Sequence, residues 1–98
     1  MTQEELLQTI PGSVISAKSD NGTPWTQTYS AYKGGKKKGT ISVNFGGLAM
    51  KSKWFVKDNQ WCENWGSGQA CWDIERVGTK SLQLYENGEP KKNLWNLN

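Results

Sequence analysis

Apolar positions along this chain change period once. Near the N-terminus, Leu6, Leu7 and Ile10 follow the i, i+1, i+4 spacing of a narrow helical stripe, whereas from Ser13 onward apolar and polar residues alternate with a period of two. Thr2-Gln3-Glu4-Glu5 has the form of a capping box, in which the Thr2 hydroxyl accepts from the Glu5 backbone and the Glu5 carboxylate reaches back to the first orphan amide. Pro11-Gly12 then stops the helix, so the spacing predicts one short helix over about residues 3–10. A helix of two turns persists only by packing on something else.

Turn pairs recur through the rest of the chain: Asn21-Gly22, Gly34-Gly35, Gly46-Gly47, Asp58-Asn59, Gly66-Ser67, Gly78-Thr79 and Asn87-Gly88. They separate candidate strands at 13–19, 24–32, 39–45, 48–57, 60–65, 69–76, 80–86 and 91–97, which form an antiparallel up-and-down meander. Such a sheet exposes two edges unless it closes into a small barrel or curls strongly, with the helix across one end in either case.

Hairpin registers follow from the turns. A two-residue loop at Gly66-Ser67 makes facing residue numbers sum to 133, which sets Cys62 opposite Cys71 at a non-hydrogen-bonded pair, where the backbones come closest, and Trp61 opposite Trp72. The Asp58-Asn59 turn sets Val56 opposite Trp61, and Gly46-Gly47 sets Phe45 opposite Leu48 and Val43 opposite Met50, with Ile41 on the same face. For the next hairpin, a three-residue loop at 77–79 pairs Ile74 with Leu82 and Trp72 with Leu84 and keeps both leucines inside.

Composition makes that interior aromatic. The 98 residues are 35% hydrophobic, yet they include 6 Trp, 3 Tyr and 2 Phe. One domain spanning 1–98 is all this length accommodates. Histidine is absent, which removes the commonest general base, the Ser-His and Cys-His nucleophile pairs and most zinc sites. No glycine spacing forms a phosphate-cradling loop or a dinucleotide fingerprint, so no metal or cofactor is expected. No apolar run is long enough for a helical membrane span.

Charge is uneven. Lys33, Lys36, Lys37, Lys38, Lys51, Lys53 and Lys57 give residues 33–57 a formal +7 with no acid among them, within an overall +3. Lys51, Lys53 and Lys57 alternate outward along one strand beside Phe55, while Lys36, Lys37 and Lys38 occupy a glycine-flanked loop. This face suits an anionic ligand, a lipid surface or an acidic partner; the alternative is a solvated face that maintains solubility and protects a strand from edge pairing. The absence of arginine from the cluster disfavours sequence-specific nucleic acid.

The stretch Trp54-Phe55-Val56-Lys57-Asp58-Asn59-Gln60-Trp61-Cys62-Glu63-Asn64-Trp65, with Cys71-Trp72 and Gly78 ahead of Leu82-Gln83-Leu84-Tyr85, resembles a family of small alphaproteobacterial exported proteins, a domain of unknown function. The resemblance extends to the helix, Pro11-Gly12 and the Asp20–Thr23 turn, and it implies an exported β-rich fold with a Cys pair, and no particular activity. The run Lys36-Lys37-Lys38 and the Trp count depart from that pattern. A looser architectural likeness is to small lipocalin-like barrels, including periplasmic inhibitors of metalloproteases, and fold alone does not fix function.

Cys62 and Cys71 are therefore read as a structural disulfide, which implies a periplasmic or secreted location and a leader removed upstream of Met1. Most of the tryptophans must fill the core, but Trp25 and Trp65, beside turns, are candidates for a ligand mouth at the strand ends. Glu63 falls on the inward face, opposite Trp54. A carboxyl among indoles can serve as an acid, although Asp73 and Glu75, its candidate partners for a glycosidase-like pair, point to the other face. The leading expectation is a non-enzymatic, exported, barrel-like binding module with a basic lysine face. Its alternatives are a small carbohydrate-active enzyme using Glu63 and a cytosolic basic binding protein with two reduced thiols.

Overall fold

The capping box forms as its residues dictate. Thr2 Oγ1 accepts from the Glu5 N–H at 3.2 Å, and Glu5 Oε1 accepts from the Thr2 N–H at 2.8 Å. A computed structural model, describing residues 1–98, places helix α1 at Gln3–Thr9 with Ile10 as its C-cap. The helix is retained by burial: Leu6, Leu7 and Ile10 all enter the main hydrophobic cluster.

Nine strands follow: β1 (Val14–Lys18), β2 (Pro24–Tyr29), β3 (Lys38–Phe45), β4 (Leu48–Lys57), β5 (Gln60–Asn64), β6 (Gln69–Arg76), β7 (Ser81–Glu86), β8 (Glu89–Pro90) and β9 (Trp95–Leu97). All pairings are antiparallel and run in chain order from β1 to β7; β9 joins β7 to β1. The result is a closed eight-stranded up-and-down barrel, in which no long strand leaves an edge to solvent.

Turn chemistry sets the registers. Asp58 and Asn59 both adopt positive φ, 53° and 62°, the geometry of a two-residue hairpin loop, and Val56 faces Trp61 across it. Phe45 faces Leu48 and Val43 faces Met50 across Gly46-Gly47, while Trp61 faces Trp72 and Cys62 faces Cys71 across Gly66-Ser67. The cysteines are bonded to each other, with a Cα–Cα distance of 4.1 Å.

Three expectations are corrected. Ile74 faces Leu84, and Leu82 faces Arg76, because the Val77 N–H bonds to the Ser81 carbonyl and the loop closes around 78–80 instead of 77–79. The shift is by two in the pairing, so Leu82 and Leu84 keep their inward direction and both are buried. The second strand ends at Tyr29 instead of 32, as the chain leaves the sheet after the Ser30 N–H bonds to the Thr40 carbonyl. The final strand, expected over 91–97, is divided: β8 extends the Asn87-Gly88 turn along β7, residues 91–94 leave the sheet, and β9 resumes along the same edge of β7 with pairing displaced by two residues.

Inside, aromatic rings form a connected series. Trp54 stacks on Trp61 with centroids 5.0 Å apart, Tyr29 meets Trp61 edge-on at 5.6 Å, and Trp95 contacts Tyr29, Trp72 and Trp25 in turn. Gly39 makes room for this packing, since a Cβ there would stand 2.6 Å from Trp54 Nε1 and collide with Ser30 Oγ.

Candidate functional site

The two ends of the barrel differ. Helix α1 lies at the end where β4 turns into β5: the Gln3 N–H donates to Asn59 Oδ1 at 2.8 Å, and the Met1 amine donates to the Ile74 carbonyl. At the other end, the turns after β1, β3 and β5 and the segment 91–94 surround a cavity of about 420 Å³. That volume lies within the range of small-molecule sites. Trp25, Phe45, Met50, Trp65, Trp72, Leu84 and Trp95 form its apolar wall; Gln27 and Glu63 supply buried polar groups, and Lys18, Asp20, Lys91 and Asn93 stand among its polar lining residues.

The rim is tied together across the sequence. Asn93 Nδ2 donates to the carbonyls of Lys18 and Ser19, each at 3.0 Å, joining the broken last strand to the β1–β2 turn. Gln83 Nε2 holds the Lys91 carbonyl at 2.9 Å. The interruption at 91–94 thus serves as part of the mouth.

Glu63 is 2% exposed. Trp65 Nε1 donates to its Oε1 and Trp61 Nε1 to its Oε2, both at 3.1 Å; the Tyr29 hydroxyl lies 3.3 Å from Oε2 and also contacts Gln27 Oε1. Burial raises the Glu63 pKa to about 7, against the opposing effect of hydrogen bonds from Trp61, Trp65 and Tyr29. Loss of water, followed by the nearby Glu63 charge, pushes the Tyr29 hydroxyl well above its ordinary value, so it remains a neutral donor. No basic side chain is among the groups acting on the Glu63 carboxyl. Trp72 supplies the complementary feature: it is 9% exposed, lines the cavity, and its buried Nε1 has no hydrogen-bond partner. An unpaired buried donor costs about 1–3 kcal/mol.

The sequence-derived candidates fall into two places. Trp25 and Trp65 both line the mouth, half-buried against the core. Lys33, Lys36, Lys37, Lys38, Lys51, Lys53 and Lys57 are all exposed, along β3, β4 and the loop between β2 and β3. Lys36, Lys38 and Lys53 converge on a depression of about 620 Å³ with Thr40, Asn64 and Gln69. Asp73 and Glu75 are exposed while Glu63 is buried, so they do not form a carboxylate pair with it. Sequence reading passed over Gln27 and Tyr29, while Trp95, which it included among the tryptophans able to line a cavity, does line it. The available signal was the alternation Trp25, Gln27, Tyr29, which places a polar amide on an inward-facing position of β2. No group of metal-ligating side chains is present.

Comparison with known protein families, curated proteins and solved structures finds no match for this chain.

Proposed function

We propose that this protein is a non-enzymatic binding module of an exported compartment, taking a small molecule into the barrel mouth between Trp25 and Trp65. The observation that carries this reading is a cavity of about 420 Å³ at one end of the barrel, lined by Trp25, Trp65, Trp72 and Trp95 with the buried polar groups Gln27 and Glu63 among them. An apolar surround with a few convergent polar groups is the usual construction of a ligand site. The exported location rests on the Cys62–Cys71 bridge, which is compatible with an oxidising compartment. Titration with the neutral apolar dye N-phenyl-1-naphthylamine tests the mouth: saturable fluorescence enhancement is expected, reduced by Trp25→Ala and Trp65→Ala and unchanged by Lys57→Gln. Equal binding by all four proteins would place the dye elsewhere and remove the reading.

A second surface has its own support. Lys36, Lys38 and Lys53 share one depression with hydroxyl and amide side chains, an arrangement suited to an anionic ligand or an acidic partner surface. The enzymatic alternative needs a second carboxyl in reach of Glu63, and the remaining acid at the cavity is Asp20.

A further inference from the structure

Accepting the mouth as a binding site, we infer that its ligand is a small ammonium compound, with the cation enclosed by indoles over Glu63. The inference deepens the reading above by naming a ligand class, and it stands on two features of the cavity.

The wall is built for a cation. Trp25, Trp65, Trp72 and Trp95 present four indoles to one space, with Phe45 beside them. Ring faces carry negative potential, and tryptophan is the strongest such partner for an ammonium ion, more so where water is excluded. A plain apolar pocket is more readily made from Leu, Ile and Val, of which this cavity contains only Leu84.

The polar group behind the wall has the matching sign. Glu63 receives neutral donors alone: one indole on Oε1, and one indole with the Tyr29 hydroxyl near Oε2. A carboxylate accepts about four hydrogen bonds, so Oε1 retains acceptor capacity on the same oxygen that Trp65, a cavity residue, engages. A buried carboxylate without a cationic partner is costly, and a bound ammonium removes that cost without requiring a proton.

Lys18, Lys91 and Asp20 stand on the rim, where their charges remain in water. Their sum is +1, so the attraction for a cation comes from Glu63 and the rings and not from the rim.

Choline and the larger benzyl(2-hydroxyethyl)dimethylammonium are suitable probes, because both carry a permanent charge. Their uncharged control is 3,3-dimethylbutan-1-ol, which keeps choline's shape and hydroxyl and lacks its charge. Intrinsic tryptophan fluorescence should saturate with at least one ammonium probe, with the alcohol binding about tenfold more weakly. Affinity for the ammonium should fall as pH drops below about 7, where Glu63 takes up a proton, since the probe itself does not titrate. Asp20→Asn should leave that pH profile in place, whereas Glu63→Gln should abolish it. The wild-type profile keeps the test decisive even where the Gln variant folds poorly. If the alcohol binds as well as choline, or if the neutral dye binds and neither ammonium probe does, the ligand class is wrong and the mouth remains a binding site. If neither dye nor probe binds, both readings fall together.

Discussion

Trp61 donates its indole N–H to the carboxylate of Glu63, 3.1 Å away and two residues further along the same strand. Period two places both side chains inside the barrel, so this strand supplies both an acid and part of its support. The support is incomplete: desolvation still raises the Glu63 pKa to about 7. A carboxyl that binds its proton more tightly when folded contributes stability below its unfolded value of about 4.5 and loses it as pH rises towards 7. Urea denaturation should therefore give a stability lower at pH 8 than at pH 5 by about 3 kcal/mol from this group. Glu63→Gln should flatten that slope. Glu5, held below its ordinary value by hydrogen bonds from Thr2, acts in a separate window: its contribution is present above about pH 4.5 and is lost at lower pH.

The Cys62–Cys71 bridge closes a loop of sequence separation 9. In the chain-entropy account, a closure of that length stabilises by about 2–3 kcal/mol. The Cys62→Ser/Cys71→Ser protein should lose that much in denaturant titrations. The intact mass of unreduced wild type should be lighter than the reduced protein by two hydrogens.

Core packing predicts two losses. Trp54 is fully buried and stacks on Trp61, so Trp54→Ala should cost about 3–5 kcal/mol by thermal or chemical denaturation. Gly39→Ala should also destabilise, by about 1–3 kcal/mol, because its methyl group would overlap the Trp54 indole and Ser30. A neutral result at Gly39 would mean that β2 and β3 part easily at that point.

The lysine face gives a salt-dependent expectation. Lys36, Lys37 and Lys38 are exposed, so their replacement by Gln should leave the melting temperature nearly unchanged while lowering retention on heparin or anionic vesicles. The difference between parent and variant should shrink at physiological salt, where the Debye length is about 8 Å. Equal retention at every salt concentration would identify the face as a means of staying in solution.

Hairpin chemistry made much of this fold legible. Gly46-Gly47, Asp58-Asn59 and Gly66-Ser67 each fixed a register that placed Val43, Val56, Trp61 and Trp72 on the buried face. Val77–Ser81 was harder to place, since the apolar pattern constrains pairing only to within two residues: either loop keeps Leu82 and Leu84 inside. The break at 91–94 depends on hydrogen bonds from Asn93 to Lys18 and Ser19, more than seventy residues away along the chain. The surroundings of Glu63 were legible only in part. Its neighbours Trp61 and Trp65 share its strand-face pattern, but Tyr29 is separated from it by 34 positions and meets it only because the barrel closes.

Strand parity also gives the bridge a role in register. Cys62 precedes Glu63 directly, and neighbouring strand residues point to opposite faces. With β5 held against β4 by the pairing of Trp54 with Glu63, a slip of one residue between β5 and β6 would carry the cysteines out of alignment and turn Trp72 and Ile74 out to solvent. The bridge thus ties β6 to β5 in the register that keeps Trp61 and Trp72 facing each other inside the barrel.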